Sequence, residues 1–153
     1  MKVISISVYG DSKKYCLGAL KNIELAKELY PGWFVKIFYD KTVPEKYIAM
    51  YSDNDNVILE DMTSKKIPGM FWRFMCFDDK DIKVFIVRDA DSRLLKREVE
   101  AVNDWLRKNK ALHVMRDHPH HNYKILGGMW GFRNDIATYK TFNQEVNDWV
   151  QKK

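Results

Sequence analysis

The chain has 153 residues, 46% of them apolar and 14% aromatic, which is enough to bury the core of one domain, residues 1–153, and excludes a disordered chain. A net charge of +5 suits an anionic partner without choosing among nucleotide, nucleic acid and membrane surface. No apolar run approaches the ~18 residues that span a membrane, the Ser-interrupted start is not a signal peptide, and Cys16 and Cys76 make neither a metal spacing nor a disulfide framework, so a cytoplasmic setting is expected.

Residues 3–9 alternate and are rich in β-branched types, which predicts a first strand ended by Gly10-Asp11-Ser12. Ser12 is placed to cap a helix running to about Tyr30, with Leu20, Ile23, Ala26 and Leu29 on one face and Pro31-Gly32 as the stop. The loop Tyr9-Gly10-Asp11 reads either as an ordinary strand-to-helix turn or as a ligand-facing one, since the same residue types serve both. Residues 33–39 make a second strand closed by Asp40, Pro44 opens a short helix over 45–51, and 57–60 is a third strand. A polar loop over 63–68 leads to a helix over 69–77 that turns Met70, Phe71, Phe74 and Phe77 toward the core. Arg73 falls amid them. Either its stem snorkels and its head reaches water, or it lines a crevice and grips phosphate or sugar oxygens with its planar fork. The turn Asp78-Asp79-Lys80-Asp81 is expected to be solvated surface.

Residues 84–87, Val-Phe-Ile-Val, are an apolar run without alternation, the pattern of a strand covered on both faces of an α/β sheet. The chain then becomes polar at once with Arg88-Asp89-Ala90-Asp91. Ligands of open α/β sheets bind outside the carboxyl ends of the strands, which puts Asp89 and Asp91 at a crevice mouth. If the strand persists, carboxylates at i and i+2 point the same way and share one hard cation. A solvated acidic turn gives the same tripeptide. Residues 95–108 form an amphipathic scaffold helix with Val99, Val102, Trp105 and Leu106 inward, and 111–115 another strand.

Beyond it come Arg116, Asp117 and His118, expected to face a substrate at the strand end, and a lip of Pro119-His120-His121. A zinc site would show regular ligand spacing and four ligands, and neither is evident. Residues 126–132 read as a strand whose Gly127-Gly128 lets backbone pass close to a ligand, forms a bulge, or does both. No third glycine makes a dinucleotide loop of it. A last helix is expected over 134–151, with Ile136, Phe142, Val146 and Trp149 inward.

The Arg73 helix, the Asp89-Ala90-Asp91 strand end and the Gly127-Gly128 segment, in that order, resemble the nucleotide-sugar-dependent glycosyltransferases of the GT-A fold. The resemblance covers most of the chain. It implies a single-domain, Rossmann-like α/β fold with an open, mostly parallel sheet flanked by helices. It also implies transfer of a sugar from a nucleoside-diphosphate sugar to a hydroxyl of a glycan or other acceptor. In its terms Tyr9, Gly10 and Asp11 touch the base and ribose, and Asp89 and Asp91, with Ala90 between them, hold Mn²⁺ or Mg²⁺ on the donor diphosphate. Arg73 meets the sugar or a phosphate, Gly127 and Gly128 lie against the donor sugar, and Asp117 and His118 are the catalytic candidates.

Many members carry a further acidic segment and a histidine metal ligand after the glycine strand, a region with no counterpart before Lys153. Two expectations follow: one of His118, His120 and His121 completes the metal shell, or the chain is a donor-binding portion lacking an acceptor segment. An aspartate-nucleophile phosphatase also has Asp-x-Asp at a strand end, but at its first strand and with a later lysine and acidic pair. A basic nucleic-acid-binding module is disfavoured as well, because Lys and Arg are spread along the chain and no RNA-binding signature occurs.

Overall fold

The computed structural model describes residues 1–116, 118–120, 122–137 and 142–152. Its centre is a six-stranded sheet in the order β3-β2-β1-β4-β6-β5. The strands are β1 (Lys2–Val8), β2 (Phe34–Tyr39), β3 (Val57–Asp61), β4 (Val84–Val87), β5 (Leu112–Val114) and β6 (Trp130–Arg133). Strands β1 to β4 are parallel, with Val3 opposite Phe34 and Phe85, whereas β6 runs antiparallel to both β4 and β5. The helices are α1 (Lys13–Leu29), α2 (Glu45–Ser52), α3 (Gly69–Trp72), α4 (Lys96–Arg107) and α5 (Phe142–Gln151), with a 3₁₀ turn at Met75–Asp78. The fold is therefore the open, mostly parallel α/β sheet that the sequence implies.

Period-two strands sort their side chains onto two faces. On one, Ile4, Ile6, Val8, Val35, Ile37, Val84 and Ile86 pack against Cys16, Ala19, Ile23 and Ala26 of α1, Tyr47 and Tyr51 of α2, and Val102 and Trp105 of α4. On the other, Val3, Phe38, Phe85, Val87 and Trp130 pack against Trp72, Cys76 and Ile82. Each fully buried aliphatic or phenyl side chain contributes about 1.5–3 kcal/mol. Both faces are thus sealed, and the strand ends are left as the open edge.

Four local expectations change. The helix over 69–77 is broken at Arg73, because the Arg73 amide donates to Ser7 Oγ at 3.0 Å and its carbonyl accepts from Ser5 Oγ at 2.6 Å, so β1 takes groups a helix would use. Asp79 is no free surface group, since it stands 3.2 Å from the nearly buried Lys36 ammonium, which also meets Glu60 at 2.7 Å. Gly127 and Gly128 lie in a turn before β6 rather than inside it, the Met129 amide closing onto the Leu126 carbonyl at 3.2 Å. The last helix begins later: residues 134–136 form a turn with Ile136 40% exposed, and α5 sets Phe142 and Trp149 edge-on against the rings of Phe74 and Phe71. No helix among the described residues is long and apolar enough to cross a membrane.

Candidate functional site

The carboxyl ends of β1, β2 and β3 are tied by two short chains of hydrogen bonds. The Gly10 amide donates to Thr42 Oγ1 at 2.7 Å, and that hydroxyl donates to Asp40. One strand further out, the Lys41 amide donates to Thr63 Oγ1 at 3.0 Å, and that hydroxyl donates to Asp61. The hydroxyl and amide of Thr63 hold the Asp61 carboxyl below its usual range. Gly10 has φ +81°, a conformation that side chains with a Cβ rarely adopt, so the sharp exit from β1 needs this glycine.

At β4 the strand stops at Val87, so Asp89 and Asp91 do not share a pleat. A turn at Ala90-Asp91 carries both carboxylates to the same cleft instead. That turn is held from α1. Asn22, fully buried, donates from Nδ2 to the Ser92 carbonyl at 2.7 Å and accepts from the Leu94 amide at 3.1 Å. Arg93 reaches the Gly18 and Ala90 carbonyls at 2.5 and 3.3 Å, and a Cβ at Gly18 would strike the Ala90 carbonyl. Beneath it the buried Arg88 lies 3.4 Å from Glu98 of α4 and donates to the Val87 carbonyl at 2.8 Å. A buried pair of this kind is costly to break from one side.

The cleft has a volume of about 200 Å³ and is lined by Ser7, Tyr9, Tyr15, Met70, Arg73, Asp89, Ala90 and Asp91. Tyr9 lies against α3, edge-on to Trp72 at 5.7 Å, over a Gly69 whose Cβ would clash with the ring. Arg73, its backbone fixed by Ser5 and Ser7, turns its guanidinium to Asp89 in an ion pair and stacks at 5.5 Å on Phe74. On the far side of that pair a second groove of about 530 Å³ opens, walled by Ser92, Arg93, Glu98 and Leu126-Gly127-Gly128-Met129. A Cβ at Gly127 would stand 3.0 Å from Arg73 Nη2, and one at Gly128 would strike the Asp89 carboxylate. The paired glycines thus admit the Arg73–Asp89 pair itself. A larger cleft of about 710 Å³ shares no lining residue with these two, and the Lys36 charge in its wall is already balanced by Glu60 and Asp79.

Tyr9, Arg73, Asp89, Ala90 and Asp91 are therefore brought together, with Gly127 and Gly128 beside them, while Gly10 and Asp11 do not line the cleft. His118 and His120 do not line either space, and His120 instead donates its amide to His118 Nδ1 at 3.2 Å. Asp117 and His121 lie outside the described residues. Sequence reasoning missed Ser7, Lys14, Tyr15 and Asn22, and it turned Met70 toward the core, whereas Met70 is 55% exposed and lines the cleft. Only two carried a signal: Asn22 interrupts an apolar helix face, and Ser7 repeats Ser5 two residues on in an apolar strand.

The two aspartates suit a hard divalent ion by their chemistry: both are oxygen donors and both open into one cleft. Among the described residues no third His, Cys, Asp or Glu joins them in a metal-ligand group.

No protein-family model matches the chain, and no curated protein matches it in sequence. Solved structures match it in fold. A mannosyltransferase from Pyrobaculum calidifontis in complex with GDP-mannose and Mn²⁺ superposes with a TM-score of 0.63 at 11% identity, over 88% of this chain and 44% of its own. TarS from S. aureus gives 0.59 at 16% identity, over 96% and 48%. The galactosyltransferase LgtC with donor and acceptor sugar analogues gives 0.60 at 12%, over 99% and 64%. The chain has the GT-A fold of these glycosyltransferases and spans about half to two thirds of their length.

Proposed function

We propose that this chain binds a nucleoside-diphosphate sugar at the mouth of β1 and β4 and serves glycosyl transfer to a hydroxyl acceptor. The observation that carries the reading is one cleft into which β1 brings Tyr9, α3 brings Arg73, and the end of β4 brings Asp89 and Asp91. Tyr9, 49% exposed, offers an aromatic surface to a base. Arg73 offers donors to a sugar hydroxyl or phosphate oxygen, and Gly127 and Gly128 bound the adjoining space for the sugar. Asp89 and Asp91 would hold a divalent ion, Mn²⁺ or Mg²⁺, whose chemistry is to neutralise charge on the departing diphosphate as a Lewis acid. The complexes of the P. calidifontis mannosyltransferase with GDP-mannose and Mn²⁺ and of LgtC with sugar analogues support this reading through the shared fold. Asp117 and His118 stay the proposed catalytic pair on the sequence argument alone.

The test is a thermal-shift panel of nucleotide sugars with and without Mn²⁺, followed by calorimetry on Asp89→Asn and Asp91→Asn. A donor that stabilises only with Mn²⁺ is expected. Each substitution should abolish that metal-dependent binding and leave the free protein folded, because the two carboxylates are 43% and 31% exposed, with a drop in melting temperature confined to Asp89→Asn, which unpairs Arg73. Unchanged affinity in both variants would refute the assignment.

A further inference from the structure

Each carboxylate of the Asp89 and Asp91 pair already carries a cation. Arg73 Nη1 meets Asp89 Oδ1 from α3, and Lys14 Nζ stands 3.4 Å from Asp91 Oδ2 from the first turn of α1. Two carboxylates against two cations leave the cleft close to neutral. An incoming divalent ion would then sit beside two positive groups, and like charges a few ångströms apart repel strongly where water is partly excluded. An ion that takes both carboxylates therefore competes with the two existing pairs.

The two cations differ in how firmly they are held. Lys14 is 67% exposed on a flexible stem, so its bond to Asp91 is weak and readily surrendered. Arg73 is 14% exposed, and its buried Nε has no hydrogen-bond partner among the described residues, so the guanidinium is not fully satisfied by them where it lies. Its backbone is fixed at both ends by Ser5 and Ser7 and its guanidinium also reaches the Arg88 carbonyl at 3.4 Å and the Phe74 ring, so any movement falls to the side chain. Both Arg73 and Asp91 line the cleft in which the donor is proposed to bind.

We propose that Lys14 and Arg73 are exchangeable counter-cations of this site. They neutralise Asp91 and Asp89 while no divalent ion is bound and turn to the donor when one is, Lys14 to the diphosphate and Arg73 to the sugar end. The proposal rests on the donor-binding reading above and adds Lys14, which no motif marks, as a residue that binds the diphosphate. Its consequence is reciprocal coupling. The ion alone binds weakly because it competes with the cations, the diphosphate alone binds weakly because drawing Lys14 and Arg73 to it leaves the carboxylates bare, and each strengthens the other.

Mn²⁺ titrations of the intact chain, read by electron paramagnetic resonance with and without a nucleoside diphosphate, test this without any turnover assay. Lys14→Gln should tighten Mn²⁺ alone by roughly two- to fivefold, the size of an exposed ion pair, and weaken the nucleoside diphosphate measured with Mn²⁺ by a similar factor. Arg73→Gln should tighten Mn²⁺ alone by at least as much. Lys13→Gln removes the same charge from the neighbouring position and should change neither, which separates the paired cation from the general field of the helix. Lys14 is exposed, so its variant decides even where Arg73→Gln does not fold. Mn²⁺ affinity that stays level or falls in Lys14→Gln, or that rises equally in Lys13→Gln, overturns the exchange while leaving the donor-binding reading intact. A native chain that binds neither Mn²⁺ nor a nucleoside diphosphate overturns both.

Discussion

The two faces of the sheet are built from different chemistry. Beneath α1, α2 and α4 the middle of the sheet presents Ile4, Ile6, Val8, Val35, Ile37, Val84 and Ile86, and polar groups stand at its rim, where Arg88 meets Glu98 and His113 stacks on Trp105. Beneath α3, the 3₁₀ turn and α5 it presents Ser5 and Lys36 among Val3, Phe38, Phe85 and Val87. The middle of the first face needs only shape and apolar area. The second spends its polar groups on position: Ser5 and Ser7 fix the Arg73 backbone, and Lys36 ties Glu60 and Asp79. An uninterrupted aliphatic layer stabilises without directing, whereas a buried hydroxyl directs because its hydrogen bond fails with small displacements. Arg73 therefore takes its position from the second face, while the turn that carries Asp89 and Asp91 is held from α1 on the first.

That division predicts which property each substitution changes. The largest loss of stability should come from Ile86→Ala on the aliphatic face, about 2–5 kcal/mol by urea denaturation, with nucleotide affinity per folded molecule retained. If affinity falls in step with stability, the two faces are not separable. Next is the pH response of His113 at the far edge of the sheet, stacked at 5.0 Å on Trp105 of α4. Burial, and then the charge of Arg88, lower its pKa from 6.5 to about 4. Between those values the unfolded chain binds the proton and the folded chain does not, so stability present above pH 6.5 is lost as the pH falls toward 4, on the order of 2–3 kcal/mol. A His113→Phe variant should lack that part of the decline, and a profile parallel to that of the native chain would count against it. The smallest expected change in stability is Ser5→Ala on the second face, about 1–3 kcal/mol for leaving the Arg73 carbonyl without its donor. Here binding should suffer more than melting does, as calorimetry with a nucleoside diphosphate and Mn²⁺ would register. Full affinity in that variant would remove the directing role of the serine.

Much of this arrangement is legible in the sequence, because hydrophobic period is a local property. The alternation over 3–9, the apolar run over 84–87 and the amphipathic helix over 95–108 each anticipate an element to within a residue or two. The polar switch after Val87 marks the end of β4 at the open edge of the sheet. What the sequence could not decide depended on partners distant in the chain. The break of the 69–77 helix at Arg73 follows from Ser5 and Ser7, more than sixty residues away, and the packing of Gly127 and Gly128 onto Asp89 and Arg73 appears only once β6 turns antiparallel beside β4. Asn22, a polar residue on the apolar face of α1, finds its reason only in the chain after β4, which takes up its side-chain amide. Backbone periodicity determines which residues share a face, whereas the pairing of a lone polar group is set by whatever the fold brings within about 3 Å of it.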